Sequence, residues 1–289
     1  MRPSRTPALS FLGAPMLWLG VFFVLPMVAI VLYGFWRVAD YQIIPDFTLA
    51  NYRRLADGLY FGVFLRTIRI SLTVTVLALL IGYPVAYYLA RKVRYFKLTL
   101  LLLVILPLWT SYLVRSYAWM LILGTQGVVN QALLATHVIS APLSWLLYSD
   151  FAVTIALVHI YLPYLILPLY AVLEKIDPSL LEAAWDLGGG RIRTFVSVIL
   201  PLSLPGVATG CLFVLIPSMG AFITPELLGG TRSIMIGSII AQQFGVAYEY
   251  PFGSALALAL MGLILVFAVA ILRTGRLTER PRPVTAAAA

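Results

Sequence analysis

Long apolar runs separated by short polar ones dominate this chain, and their lengths decide the fold class. Six runs stand out, at about 11–36, 64–90, 98–123, 150–173, 202–224 and 252–272. Crossing about 30 Å of hydrocarbon takes about 20 apolar residues in a helix, so each run is long enough to span a bilayer. The pattern predicts an all-α membrane protein of six transmembrane helices, with one membrane domain over 11–273. An arm at 1–10 precedes it, and a tail at 274–289, ending in Pro281-Arg282-Pro283 and alanines, is expected to be disordered. The first run follows Arg2 and Arg5, exceeds a signal-peptide core and lacks a small-residue cleavage site, so it reads as a retained span.

Composition agrees: 62% of residues are hydrophobic, 11% are charged and the mean hydropathy is +0.98. Soluble domains carry roughly a quarter charged residues. The net charge of +9 is not spread as a nucleic-acid surface would be. Thirteen basic residues fall in one set of connections: Arg2, Arg5, Arg91, Lys92, Arg94, Lys97, Lys175, Arg191, Arg193, Arg273, Arg276, Arg280 and Arg282. Only Arg37, Arg53, Arg54 and Arg232 fall in the other. Cytoplasmic loops carry the excess of Lys and Arg, so both termini are expected in the cytoplasm. The loops 37–63, 124–149 and 225–251 then lie outside, where Tyr41, Tyr60, Trp145, Tyr148, Tyr248 and Tyr250 suit the membrane–water interface.

Several chemistries are excluded. Cys211 stands alone and His137 and His159 are far apart, so no disulfide and no cysteine or histidine metal cluster is expected. The three lysines, Lys92, Lys97 and Lys175, do not follow glycine, so there is no phosphate-binding GxxxxGK[ST] loop. HExxH and GxSxG are absent as well, and the chain reads as a non-enzyme. Asp40, Asp46, Asp57, Asp150, Glu226 and Glu249 belong to outer loops or span ends, and Glu174, Asp177, Glu182, Asp186 and Glu279 to the inner side. With no carboxylate near a midplane, proton or sodium coupling has no group to use. A secondary transporter and a membrane scaffold are therefore the weaker alternatives.

The polar connection 174–201 carries the most informative pattern. Asp177-Pro178-Ser179 reads as a helix start, with Asp177 as cap and Pro178 in the first turn. Leu180, Leu181, Ala184 and Leu187 share an apolar face, while Glu182 and Asp186, four apart, share a polar one. Gly188-Gly189-Gly190 ends this helix, because glycine accepts the left-handed cap conformation. A second segment, Thr194 to Leu200, is expected to be stopped or bent by Pro201. By these features alone the segment is either an interfacial connector or a surface presented to a soluble partner.

The order Glu182-Ala183-Ala184, Gly188, then Val198-Ile199-Leu200-Pro201 resembles the EAA loop of ABC importer membrane subunits, departing from it only at Val198, where that loop has isoleucine. Further runs, including Gly82-Tyr83-Pro84, Pro107-Leu108-Trp109-Thr110-Ser111 and Leu228-Gly229-Gly230, are similar to the membrane subunits of spermidine/putrescine importers over about 45–275. The resemblance implies a type I importer permease fold in a bacterial inner membrane. Glu182, Ala183, Ala184, Asp186, Gly188, Leu200 and Pro201 would form the surface that couples to an ATPase. It also implies two ABC ATPase subunits, which bind ATP and magnesium, a second homologous permease subunit and a periplasmic or extracellular binding protein. No cofactor is expected on this chain.

A polyamine is a long polycation, for which carboxylates and aromatic faces are suitable partners. Glu226, Trp109, Tyr112, Tyr117, Trp119, Tyr161 and Tyr164 are the candidate substrate-path residues. Arg66, Arg69 and Arg115 oppose a cation path unless they are structural; otherwise they favour an amino-acid-like or opine-like solute.

Overall fold

A computed structural model describes residues 13, 15–39, 42–231 and 233–276. Arg2, Arg5, Asp40, Tyr41, Arg232, Glu279, Arg280, Arg282, the arm 1–10 and the tail beyond 276 lie outside the described residues.

Helices account for nearly all of the regular structure. In chain order they are α1 (Pro15–Gly34), a hairpin of strands β1 (Arg37–Ala39) and β2 (Gln42–Ile44), α2 (Ala50–Leu55), α3 (Gly58–Arg91), α4 (Lys97–Ile105), α5 (Tyr112–Leu123), α6 (Val128–Ala135), α7 (Asp150–Glu174), α8 (Pro178–Asp186), α9 (Arg191–Met219), α10 (Ile236–Gly245) and α11 (Tyr250–Arg276). Six helical stretches among the described residues are long and apolar enough to cross a membrane: 15–34, 58–91, 112–135, 150–174, 191–219 and 250–273. The antiparallel β1–β2 pair, Arg37 opposite Ile44, is the only sheet among the described residues and was not anticipated.

Three expected spans have different boundaries. The second starts at Gly58, not near 64, because the apolar segment Leu59–Leu65 continues the helix past its tyrosine. The third is not one helix over 98–123. α4 gives way to a 3-10 turn at Leu106–Trp109, and Thr110 and Ser111 adopt extended backbone before α5 begins. Pro107 lacks an N–H, and its own carbonyl accepts the Thr110 N–H and the Thr110 hydroxyl, which closes the turn and ends the helical ladder. The fifth begins at Arg191 and passes through Pro201 unbroken. Its turn Phe195–Ile199 is wound as π-helix, with the Leu200 N–H reaching back to Phe195 O. α1 repeats the device: Gly20–Val24 is a π-turn just ahead of Leu25-Pro26, and the Leu25 N–H reaches Gly20 O. A proline ring clashes with the carbonyl four residues earlier, and widening the preceding turn accommodates it without a break.

The chain divides into two compact units. In the first, formed by residues up to 62 and 239–262, the Arg54 guanidinium pairs with Glu249 at 2.9 Å and lies 4.0 Å from the Phe252 ring centre. Asn51 donates to Gly34 O and Trp36 O, at 3.1 and 2.7 Å, tying α2 to the end of α1.

The second unit, residues 63–238 and those from 263, holds a core of Ile70, Val74, Leu157, Leu165, Leu169 and Leu173. α7 and α9 pack closely there because α9 presents Gly206 and Gly210, four apart. A Cβ at 210 would lie 3.1 Å from Leu165 O, and one at 206 would lie 2.9 Å from Val172 Cβ. Lipid supplies little hydrophobic drive between helices, so small residues that admit close approach dominate such contacts. Gly82 of α3 does the same, a Cβ there meeting Leu165 Cδ2 at 2.6 Å.

Candidate functional site

The connection between α7 and α9 forms the expected helical hairpin. Asp177 caps α8, its Oδ1 accepting the Ser179 N–H at 2.9 Å, and Pro178 occupies the first turn. That backbone N–H holds the Asp177 carboxyl below the usual carboxylate range. At the other end Gly188 takes a left-handed φ of 78° and donates to Trp185 O, while the Gly189 N–H reaches Ala184 O at 2.9 Å. These two bonds are a Schellman cap. A Cβ at 189 would lie 2.5 Å from Ala184 O, so glycine is needed there for close approach as well.

No residue of α8 is buried. Glu182, Ala183 and Asp186 are exposed, Ala184 is half-buried, and Leu200 and Pro201 are half-buried at the start of the long helical part of α9. Beside the carboxylates stand Trp185, 53% exposed, Leu187, 86%, and Ile192, 81%. A concavity of about 240 Å³ lies among Ala184, Leu187, Gly189, Thr194 and Val198. Carboxylates and uncovered apolar side chains thus share one exposed helix, capped at both ends, with Leu181 packed against the core.

The candidate path residues separate into two groups. Tyr112 and Tyr161 lie 6.4 Å apart, ring centre to ring centre, and Tyr161 and Tyr164 lie 6.2 Å apart. The Thr224 hydroxyl donates to Tyr112 Oη at 2.8 Å and lies 2.9 Å from Ser116 Oγ. Tyr161 donates its hydroxyl to Pro217 O, a carbonyl in the last turn of α9. Trp119 donates to His159 Nδ1 at 3.2 Å on the same pair of helices. Glu226 is exposed on the π-turn Pro225–Gly229, two residues beyond Thr224. Trp109, 79% exposed, sits on the 3-10 turn, and Tyr117 is 43% exposed; neither joins this aromatic group.

Sequence reasoning missed Ser116 and Thr224. Hydroxyls inside apolar runs, one of them four residues after Tyr112, are the signal that marks them. Two of the three arginines have structural partners: Arg69 pairs with Asp150, and Arg115 donates to Ile160 O at 3.3 Å. A concavity of about 670 Å³ lies elsewhere, among Trp145, Tyr148, Asp150 and Ser233. Its one carboxylate is the one Arg69 neutralises, so it offers a cation no free charge.

Residues 78–275 match the family described as binding-protein-dependent transport system inner membrane component. The chain is 41% identical over 253 residues to the spermidine/putrescine transport system permease protein PotB of Escherichia coli, covering 86% of this chain and 92% of that one. It is 40% identical over 233 residues to PotB of Haemophilus influenzae, 81% of each. The E. coli inner membrane ABC transporter permease protein YdcU is 32% identical over 274 residues, 90% of this chain and 87% of that one. Among solved structures, a chain of the bacterial alginate ABC transporter in complex with an alginate-bound periplasmic protein aligns with TM-score 0.71 at 18% identity, covering 95% of this chain and 96% of that one. That likeness concerns the fold.

Proposed function

The chain belongs to the family of binding-protein-dependent transport system inner membrane components, and from that premise we propose that it forms half of an ATP-driven import path for polyamines. A homologous second permease supplies the other half. A binding protein delivers the substrate at the outer face, and two ATPases, which carry the ATP and magnesium, dock inside. The family is a transport subunit and not an enzyme. The excess of basic residues on the connections that include 174–201 supports cytoplasmic termini and a cytoplasmic hairpin.

The observation that carries the ATPase reading is the exposed, doubly capped α8. Glu182 and Asp186 face basic groups of the ATPase, Trp185 and Leu187 fill apolar recesses, and Gly188 and Gly189 hold the turn rigid, so nucleotide-driven closure moves the hairpin as one body. Leu200 and Pro201 pass that movement into α9.

Polyamine as substrate rests on likeness to permeases with that name and is supported by two of the three opposing arginines, Arg69 and Arg115, having partners within the chain. With Arg69 and Arg115 engaged by Asp150 and Ile160 O, the exposed charge beside the Tyr112–Thr224 network is the carboxylate of Glu226. Tyr112, Tyr161 and Tyr164 offer ring faces, worth about 0.5–2 kcal/mol per cation contact; Trp119, and then Trp109 and Tyr117, come after them as lining candidates.

The test is ATPase activity of the complete complex in lipid, with its binding protein, against spermidine, putrescine and a panel of amino acids. Polyamines are expected to stimulate hydrolysis, and Glu226→Gln is expected to lower spermidine uptake about tenfold, the scale of one lost charge-assisted hydrogen bond. Stimulation by amino acids alone would keep the importer and discard the cation path.

A further inference from the structure

The second span holds both stems of the coupling hairpin. At its cytoplasmic end Arg91 donates from Nη2 to Ile176 O at 2.7 Å, and Ile176 is buried immediately before the Asp177 cap. One and two turns earlier, Tyr87 and Tyr83 of the same helix receive Phe195, the first residue of the π-turn that follows the hairpin, edge-on at 6.1 and 5.7 Å between ring centres. Tyr83 Oη also lies 2.9 Å from Ser203 Oγ of α9. The entering stem is thus held by Arg91 and the leaving stem by Tyr83 and Tyr87, all on α3. α8, by contrast, has no buried residue of its own. A second link, Lys97 Nζ to Glu174 Oε1 at 2.6 Å, ties the start of α4 to the end of α7 two residues before Ile176.

A hinge transmits force only through what grips it. We propose that Arg91 is a positioning residue for coupling: it clamps the Ile176 carbonyl so that displacement of the hairpin is delivered to the second span, with Tyr83 as the matching clamp on the other stem. This rests on the reading of α8 as the ATPase docking element. In this proposal Arg91 acts through the Ile176 carbonyl alone. A guanidinium on the carbonyl of the link between two helices would also serve as a plain structural tie, and the two roles differ in what they do to stoichiometry. A plain tie affects assembly, whereas a clamp affects the work obtained per ATP.

The experiment compares substrate molecules imported per ATP hydrolysed by the reconstituted complex for the wild type, Arg91→Ala, Arg91→Lys, Tyr83→Phe and Glu182→Lys. Arg91→Ala is expected to retain bound ATPase and basal hydrolysis while import per ATP falls about tenfold, the scale of one lost charge-assisted hydrogen bond. Arg91→Lys, which keeps a cationic donor, is expected to restore most of it, and Tyr83→Phe to lower it about threefold. An unchanged ratio in Arg91→Ala with the ATPase bound overturns the proposal. Should Arg91→Ala fail to assemble, an unchanged ratio in Tyr83→Phe would show a plain tie and overturn it equally, whereas a lowered ratio in Tyr83→Phe would support the clamp. Glu182→Lys is the separate control: if it leaves ATPase binding intact, the docking reading fails, whatever Arg91 does.

Discussion

Glu182→Lys is expected to abolish ATP-driven uptake while leaving the spans inserted and the subunit folded. Glu182 is exposed on a helix that buries nothing, so the substitution removes no packing within the chain. Lysine is also a good helix former, so α8 keeps its caps at Asp177 and at Gly188-Gly189. Under the proposed docking, what changes is the sign of the charge offered to a basic surface. Placing like charges together across an interface costs several kcal/mol, enough to weaken docking by more than about a hundredfold. Glu182→Gln, which only removes the charge, should be milder. Retention of the ATPase on the tagged permease, measured alongside uptake, decides it; full retention with normal uptake would defeat the docking assignment.

Gly210→Val is the second large effect, and it acts on the fold. The added carbons would meet the backbone of α7, with the first of them 3.1 Å from Leu165 O and 3.3 Å from Leu165 Cα. Backbone cannot rotate away as a side-chain tip can, so α7 and α9 must separate. Overpacking of this kind costs about 1–3 kcal/mol, which corresponds to a fall of ~5–10 °C in the unfolding temperature of the detergent-solubilised subunit. Gly206→Val should behave alike, with Val172 Cβ at 2.9 Å. Gly262→Val is the control, since a Cβ there meets nothing within 4 Å. Equal losses at 210 and 262 in a thermal-shift series would show that helix flexibility, and not close approach, sets the cost.

The spans were legible because a bilayer demands uninterrupted apolar length, and that demand is written locally. The hairpin was legible for a similar reason: Asp177-Pro178 and Gly188-Gly189 are chemically suited to begin and end a helix wherever they stand. The break in the third span was not. Pro84, Pro163, Pro168, Pro205 and Pro217 all sit inside continuous helices, and what singles out Pro107 is the extended backbone at Thr110 and Ser111, closed by the Thr110 hydroxyl. Pro201 shows the converse, an expected stop that the preceding turn absorbs by widening. The Tyr112–Thr224–Ser116 network was hidden because its partners lie more than a hundred residues apart. The Arg69–Asp150 pair, 81 residues apart in the chain, was hidden likewise, and it bears on how Arg69 weighs on substrate charge.

The π-turn at Phe195–Ile199 has a further consequence, which concerns rotation. Each residue of an α-helix advances the side chains by about 100° around the axis, and a π-turn accommodates one residue more than the surrounding winding needs. The hairpin and the Gly206–Gly210 face are therefore set on α9 with a phase offset that the inserted residue supplies. Removing one residue from this stretch would leave both caps, every apolar side chain of the hairpin and the α7–α9 contact chemically intact. It would nonetheless put the fifth span about 100° out of phase with the hairpin that α7 and Arg91 also hold. The length of these five residues, more than their identity, sets the phase between the exposed face of α8 and the fifth span.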